Sequence, residues 1–414
     1  MNLEGSVRAL GNPARWQLTA LGSFLSQSKR TSNGALPILG VDLRQGVRKR
    51  SDGDGRPAPS EDLSNYKLVR MGDVVMNRLG KPHGSVGVSD FEGITSPAYW
   101  VLHVNNEVAH PRFVHFLLRS AHMIAEYNRL GKHMPPNQFD LSWENFRSIV
   151  VPMPSIVDQW RIANFLDAET SRLDQLSRLR LTQLPLLTER GQREKLSQIE
   201  GYEPTWLELR RAGARVTTGP FGTALSAAEY VHGAVPVINP THIKDSRINP
   251  SLSETVPPEV AIRLRRHMLR AGDMVVGRKG DIGRSALVNS DQDGWICGSD
   301  SIAIHFDQSR LSPAYIAHVL SIDSVREQLL ARSVTATMPS LSEGNLLSLR
   351  IPYLDMQLQR KLVGKFDTDG EHVTSLSVSM SRQADVLTER RQALITAAVT
   401  GQLDVTTARS GVRV

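Results

Sequence analysis

The chain has 414 residues, with 49 Lys and Arg against 42 Asp and Glu for a net charge of +7, and it is 40% hydrophobic and 22% charged. At roughly 100 to 200 residues per domain, that length calls for two or three domains with real cores, and the ordinary composition excludes whole-chain disorder. The one cysteine, Cys297, excludes an intramolecular disulfide and a cysteine-based zinc cluster, while the mild positive excess points toward a polyanionic partner. The opening MNLEGSVRALGNPARW lacks a basic stretch followed by an apolar one. No run reaches the roughly 18 apolar residues of a membrane span, so a soluble cytoplasmic chain is expected.

From Trp16 to about Val104 the sequence consists of short β-like runs, such as Asp73-Val-Val-Met-Asn77 and Trp100-Val-Leu-His-Val104, separated by Gly, Pro, Ser and Asp clusters. The stretch Arg50 to Asp62 reads as an exposed loop. A helix is predicted over Pro111 to Leu130, then a short strand, Ser148 to Val151, ending at Pro152-Met-Pro154. About 40 helical residues follow, with Leu166, Leu173 and Leu187 in heptad register and Leu176 beside them. Arg161, Arg172, Arg178, Arg180, Arg190, Glu169 and Glu189 suit its solvated flanks. Pro185 lies inside and should kink or split the rod.

The remainder repeats this plan. A shift of 200 aligns Gly72, Asp73, Val75, Arg78 and Gly80 with Gly272, Asp273, Val275, Arg278 and Gly280, and Leu141, Ser142, Asn145, Pro152 and Gln159 with Leu341, Ser342, Asn345, Pro352 and Gln359. The LTER of Leu187–Arg190 recurs at Leu387–Arg390. Upstream the match is looser, Leu36-Pro-Ile-Leu39 against Val235-Pro-Val-Ile238, with Trp16 and Trp206 opening the copies. In the second copy the strands are Val275-Val276, Ser301–Phe306 and Leu349–Pro352, and a helix is predicted over Pro313 to Leu330. Its rod carries Phe366, Val373, Met380, Leu387 and Leu394 seven apart, with Leu376 alongside. Units this large bury their own cores, so this is a domain duplication rather than a solenoid. The fold class is α+β: two sheet-containing domains, 1–152 and 201–352, and two helical segments, 153–200 and 353–414. A rod of 40 residues spans roughly 60 Å, longer than the domain it would otherwise lie on, so the two rods are expected to pack antiparallel. A single amphipathic helix lying on its own domain is the alternative.

No catalytic constellation stands out. Gly80-Lys81, Gly131-Lys132 and Gly364-Lys365 are not followed by Ser or Thr, so no phosphate loop exists. His110, His115 and His122 are poorly spaced for metal ligation. Gly277-Arg-Lys-Gly-Asp-Ile-Gly283 reads as a tight turn between strands, and Asn239-Pro-Thr-His242 shares only two letters with an amino-methyltransferase motif. Binding remains. Cations gather at Arg44, Arg48, Lys49 and Arg50, at Asn77, Arg78 and Lys81, at Arg263, Arg265 and Arg266, and at Arg278, Lys279 and Arg284. Lys and Arg contact phosphates, and Arg or Asn can pair with base edges.

The repeated Gly-Asp-(Val/Met)-Val-x-x-Arg, Ile94-Thr-Ser-Pro-Ala-Tyr99, Thr218-Gly-Pro-Phe-Gly222, Arg278–Arg284, Met338-Pro-Ser-Leu341 and the closing Leu394–Asp404 resemble the DNA-specificity (S) subunit of type I restriction-modification systems over nearly the whole chain. The resemblance implies two target-recognition domains, each reading half of a bipartite DNA site, with two conserved helical spacers packed antiparallel in pseudo-two-fold arrangement. It adds Thr218 and Phe221 to the DNA-facing candidates. It implies that the heptad residues serve helix packing and partner docking, that two methyltransferase (M) subunits and motor-nuclease (R) subunits are partners, and that S-adenosylmethionine, ATP and Mg²⁺ belong to those partners, with no active site or cofactor in this chain. The other reading of the heptads is a coiled-coil interaction scaffold without DNA specificity.

Overall fold

The structure is a computed structural model and describes residues 16–31, 36–42, 46–50, 62–77, 85–134, 138–221, 224–280, 282–332 and 340–405. It contains two compact units, Met1–Leu181 with Ser381–Val414, and Thr182–Met380. These cut across the duplicated halves, because each long helix gives one part of its length to each unit.

In the first unit a four-stranded antiparallel sheet has the order Leu25–Gln27, Tyr99–Val104, Val74–Asn77, Val86–Val88. Alternation sends Trp100, Leu102, Val104, Val74 and Met76 to the helix-covered face, while Val75 and Val101 pack beneath the hairpin Leu39–Asp42/Gly46–Lys49. Both faces are covered, which is why Val74-Val75-Met76 is an unbroken apolar run. The second unit repeats the order with Ala214–Thr218, Ser301–Phe306, Met274–Gly277 and Ser285–Leu287. Met274, Val276, Ile302 and Ile304 face the helices; Val275 and Ala303 face the other layer. A small ladder closes each domain: Gln17–Ala20 on Val150–Met153, and Thr205–Glu208 on Arg350–Tyr353.

The repeated residues have local structural reasons. Gly72 and Gly272 both adopt φ +88, and the next residue, Asp73 or Asp273, accepts a hydrogen bond from the backbone N–H of Arg70 (3.0 Å) or Arg270 (2.8 Å). This is a glycine-dependent turn before the central strand. Ser142 and Ser342 cap short helices by accepting from the N–H of Asn145 and Asn345. Those asparagines in turn donate to the carbonyls of Leu130 and Arg332. Gln159 and Gln359, buried near the starts of the long helices, accept from His110 N–H (2.7 Å) and Ser312 N–H (2.8 Å) and donate to Pro154 and Leu354 carbonyls.

These equivalent bonds reveal a register change. Val74 pairs with Leu102 whereas Met274 pairs with Ile304, so between Ser301 and Arg332 the copies are related by a shift of 202 rather than 200. Trp16 and Trp206 are likewise not equivalent. Trp206 lies opposite Pro352 in its ladder, the place Leu18 takes opposite Pro152.

The expected helices over Pro111–Leu130 and Pro313–Leu330 are each two: Pro111–Leu118 and Ala121–Leu130, then Pro313–Leu320 and Asp323–Ala331. Ser120 turns extended and accepts from Met123 N–H, starting a new helix. The segment Gly277–Gly283 joins the paired strands Met274–Gly277 and Ser285–Leu287 as expected, with Gly277 N–H donating to the Arg284 carbonyl (2.8 Å) and Gly283 N–H to the Gly277 carbonyl (3.4 Å); Asp281 lies outside the described residues. Pro185 does not split its rod. The helix Ile156–Glu200 is continuous, and because Pro185 is exposed, solvent can satisfy the carbonyl its missing N–H frees.

Within each unit the long helices run antiparallel. In the first, Ile162, Ala163 and Leu166 share a core with Ile395, Ala398 and Val399, while Asp174 pairs with Arg391 at 3.1 Å. In the second, Gln198 donates to Asp369 (3.2 Å) and Gly191 faces Val373. Leu166, Leu173 and Phe366 are buried, and Leu187, Val373, Met380, Leu387 and Leu394 are half-buried. Leu176 and Leu376, 42% and 37% exposed, lie off this seam. The inner stripe steps four residues and then three, which brings Ser177 and Ser377 inward instead.

Candidate nucleic-acid interface

In the second unit the candidate site surrounds the loop after Met274–Gly277. The backbone of Arg278 is pinned on both sides: its N–H donates to the Asp300 carbonyl (2.9 Å), and its carbonyl accepts from Leu341 N–H (2.8 Å). Its guanidinium lies 4.8 Å over the ring of Phe221, and its Nε is buried without a hydrogen-bond partner. Phe221 is 51% exposed. An exposed aromatic face carrying a cation can stack on a base or clamp a phosphate.

A close backbone crossing presents Phe221. A Cβ on Gly219 would stand 1.9 Å from the Gly298 carbonyl oxygen, so only glycine fits at this place in Thr218-Gly-Pro-Phe. Thr218 anchors the turn: its N–H (2.8 Å) and its hydroxyl both donate to Glu343 Oε1, and its carbonyl lies 2.8 Å from His267 Nδ1. Lys279 is held by Asp300 at 2.8 Å, and Arg284 donates to the Ile243 carbonyl at 3.3 Å. Arg263 pairs with Glu229, while Arg265 and Arg266 are exposed. The structure therefore brings Phe221 and Arg278 together and uses Thr218, Lys279 and Arg284 as braces within that layer.

In the first unit Lys49 lies 5.4 Å from the centre of the Phe91 ring, on a strand that also carries Arg48, with Arg50 next in sequence. Asn77 ends the central strand, its N–H bound to the Ser85 carbonyl (2.9 Å). Arg44, Arg78 and Lys81 lie outside the described residues, as do positions 51–61 of the expected loop, Gly222 and Met338.

Sequence reading missed what holds the basic hairpin. Arg119, buried on the helix side, donates to the Val86 carbonyl at 2.7 Å and the Asp42 carbonyl at 3.3 Å. Burial and the charge of Arg391 lower its pKa to about 10. His115, also buried, accepts from Val88 N–H (3.2 Å), and burial together with Arg119 holds its pKa well below the usual value. No linear motif marks these two, because their partners are backbone atoms of distant strands. Phe91, Asp300 and Glu343 were also missed, each distant in sequence from the residue it meets. Burial pushes the Cys297 thiol up to about 12, which leaves it protonated and inert. Among the described residues no three His, Cys, Asp or Glu side chains gather as a metal site. No helix there is long and apolar enough to cross a membrane.

No family model and no curated protein matches the sequence. Solved structures do. A chain from a study of complex assembly and conformational transition of the type I R-M system matches with a TM-score of 0.71 and 18% identity, covering 94% of this chain and 99% of that one. The HsdS subunit from Thermoanaerobacter tengcongensis matches with a TM-score of 0.56 and 17% identity, covering 94% and 98%. At such identities the likeness is one of fold, and this chain has the two-domain, long-helix fold of those structures.

Proposed function

We propose that this chain is the DNA-specificity subunit of a type I restriction-modification complex, a non-catalytic component that reads a bipartite site and directs adenine-N6 methylation or restriction by its partners. The observation that carries the reading is the fold likeness to a type I R-M chain across 94% of the residues, both sheet domains and both long helices included. The exposed Phe221 ring with the half-buried Arg278 over it, and the Lys49–Phe91 pair, support it, since each supplies a cation and a ring for nucleic acid in a different half of the repeat. Because the two sheet domains differ in sequence, the two half-sites differ.

Under this reading the long helices set the gap between half-sites and dock two methyltransferase subunits. S-adenosylmethionine resides on those subunits, and ATP and Mg²⁺ on the motor-nuclease subunit. Nothing in the mechanism requires chemistry from this chain: its residues bind, orient and space.

The test is to purify the chain with its methyltransferase partner and measure a DNA mobility shift across a salt series, followed by methylome sequencing of the host. Salt-dependent binding and methylated adenines in a split motif are expected. Absence of binding would leave the interaction-scaffold reading. The chain alone, given S-adenosylmethionine and DNA, should transfer no methyl group; any transfer overturns the proposal. Adding four residues to each long helix lengthens it by about 6 Å, equivalent to about two base pairs at roughly 3.4 Å each. A gap that stays fixed in the methylome of that variant would sink the spacing role.

A further inference from the structure

At the second unit's interface one short stretch, 340–343, meets each part of the site. Ser340 bridges to Lys279, and Leu341 N–H donates to the Arg278 carbonyl (2.8 Å). Glu343 Oε1 accepts from both the N–H (2.8 Å) and the hydroxyl of Thr218. Phe221 follows shortly after Thr218 in the chain, so Glu343 sits against the turn that presents the ring. The carboxylate is exposed. The two bonds to Oε1 fix its direction, and among the described residues its other oxygen, Oε2, has no hydrogen-bond partner and the group has no cation. Nearby Asp300, by contrast, is paired with Lys279 at 2.8 Å.

The first unit shows that the fold does not require a carboxylate here. By the 200 shift Glu343 stands where Trp143 stands, each directly after a capping serine. Trp143 serves packing: it stacks on Phe146 with ring centres 5.8 Å apart and lies edge-on to Trp100 at 5.6 Å. An unpaired carboxylate at a DNA-facing surface repels phosphates and weakens binding to every sequence, unless the DNA brings a donor to it.

We infer that Glu343 reads a base: Oε2 accepts a hydrogen bond from the exocyclic amine of a cytosine in the major groove, in the half-site met by the second domain. The inference rests on the DNA-specificity reading. The choice of base follows from the edge each one shows. Cytosine presents its N4 amine as a donor, whereas adenine sets an N7 acceptor beside its N6 amine, and guanine and thymine show acceptors that a carboxylate repels. Phe221 and Arg278 then supply affinity, and Glu343 supplies identity.

The test uses the full chain with its methyltransferase partner. Binding and methylation are measured on duplexes in which each position of the split motif is varied in turn, for wild type, Glu343→Ala, Glu343→Gln and Thr218→Val. Glu343→Ala should relax a single C·G position, with discrimination there falling about tenfold, the scale of one mismatched pair, and the other positions unchanged. In Glu343→Gln the side-chain oxygen stays with Thr218 and the amide NH2 faces outward, so cytosine should be rejected at that position in favour of guanine or thymine. This variant keeps the Thr218 bonds and serves should Glu343→Ala prove less stable. Thr218→Val loses the hydroxyl brace but keeps the carboxylate, and should weaken binding to all sequences without relaxing any position. A Glu343→Ala variant that weakens binding equally at every sequence shows a clamp only and overturns the inference. So does Glu343→Gln that still selects cytosine, or a wild-type motif made of A·T pairs alone. Wild type that binds no DNA and directs no methylation overturns the functional reading itself, a result distinct from a wild-type split motif that Glu343→Ala leaves intact.

Discussion

The two units solve one packing problem in opposite ways. Where the first unit buries His115 and Arg119 under its Gly46 hairpin, the second places Ala317 and Ser321 and leaves a cleft. Where the second unit has Gly191 in its long helix, beside a pocket of about 550 Å³, the first unit has Arg391 paired with Asp174. The order of the four-stranded sheet and the serine caps at Ser142 and Ser342 are the same in both. A duplicated backbone thus tolerates exchange of buried volume and charge as long as the pins that fix it, Gln159 and Gln359, Asp73 and Asp273, Ser142 and Ser342, are kept.

The sharpest way to break the comparison is Arg119→Met. It strands the Val86 and Asp42 carbonyls in a buried site and should cost about 3 to 5 kcal/mol of the first unit's stability. The equivalent Ser321→Ala, at an exposed position, should change the second by less than about 0.5 kcal/mol. Hydrogen exchange resolved by peptide would read each unit separately, and equal losses would contradict the assigned equivalence.

Gln159→Leu and Gln359→Leu should be alike, because both glutamines make the same bonds. Each should cost about 2 to 4 kcal/mol through unsatisfied backbone groups. A large difference, seen in urea unfolding of the full chain, would mean one long helix is held by something else.

Acid should act on the first unit through His115. Its folded pKa is depressed, so below about 6.5 the unfolded chain binds a proton that the folded one refuses. Stability is therefore lost as pH falls, by up to about 1.4 kcal/mol per pH unit for this group. Replacing it, His115→Asn, should flatten that loss between neutral pH and pH 5. An unaltered slope of unfolding free energy against pH would show that other groups carry it.

The smallest effects belong to the long helices. Arg391→Ala loses a half-exposed ion pair and should cost at most about 1 kcal/mol. At the matching place Gly191→Ala should stabilise by about 0.5 to 1 kcal/mol through helix propensity, since its new Cβ would lie an ordinary 3.7 Å from Val373. A lower melting temperature for Gly191→Ala would mean that the pocket there has to stay open.

The sequence by itself determined the duplication, the central strands, the two rods and the absence of a linear catalytic motif, because each is written in local terms: alternation, heptads, repeated turn and cap residues. It also marked Arg278 and Phe221 as separate candidates. Tertiary structure decided that they stack. It decided too that Thr218, Lys279 and Arg284 brace the site, that the rods' inner stripe passes through Ser177 and Ser377 rather than Leu176 and Leu376, and that the copies slip by two residues between Ser301 and Arg332. The physical reason is the same in each case. These outcomes depend on atoms far apart in the chain, a guanidinium on a distant ring, a hydroxyl on a distant carboxylate, a helix face turned toward a partner. Periodicity shows that a face exists, and only packing selects what it meets.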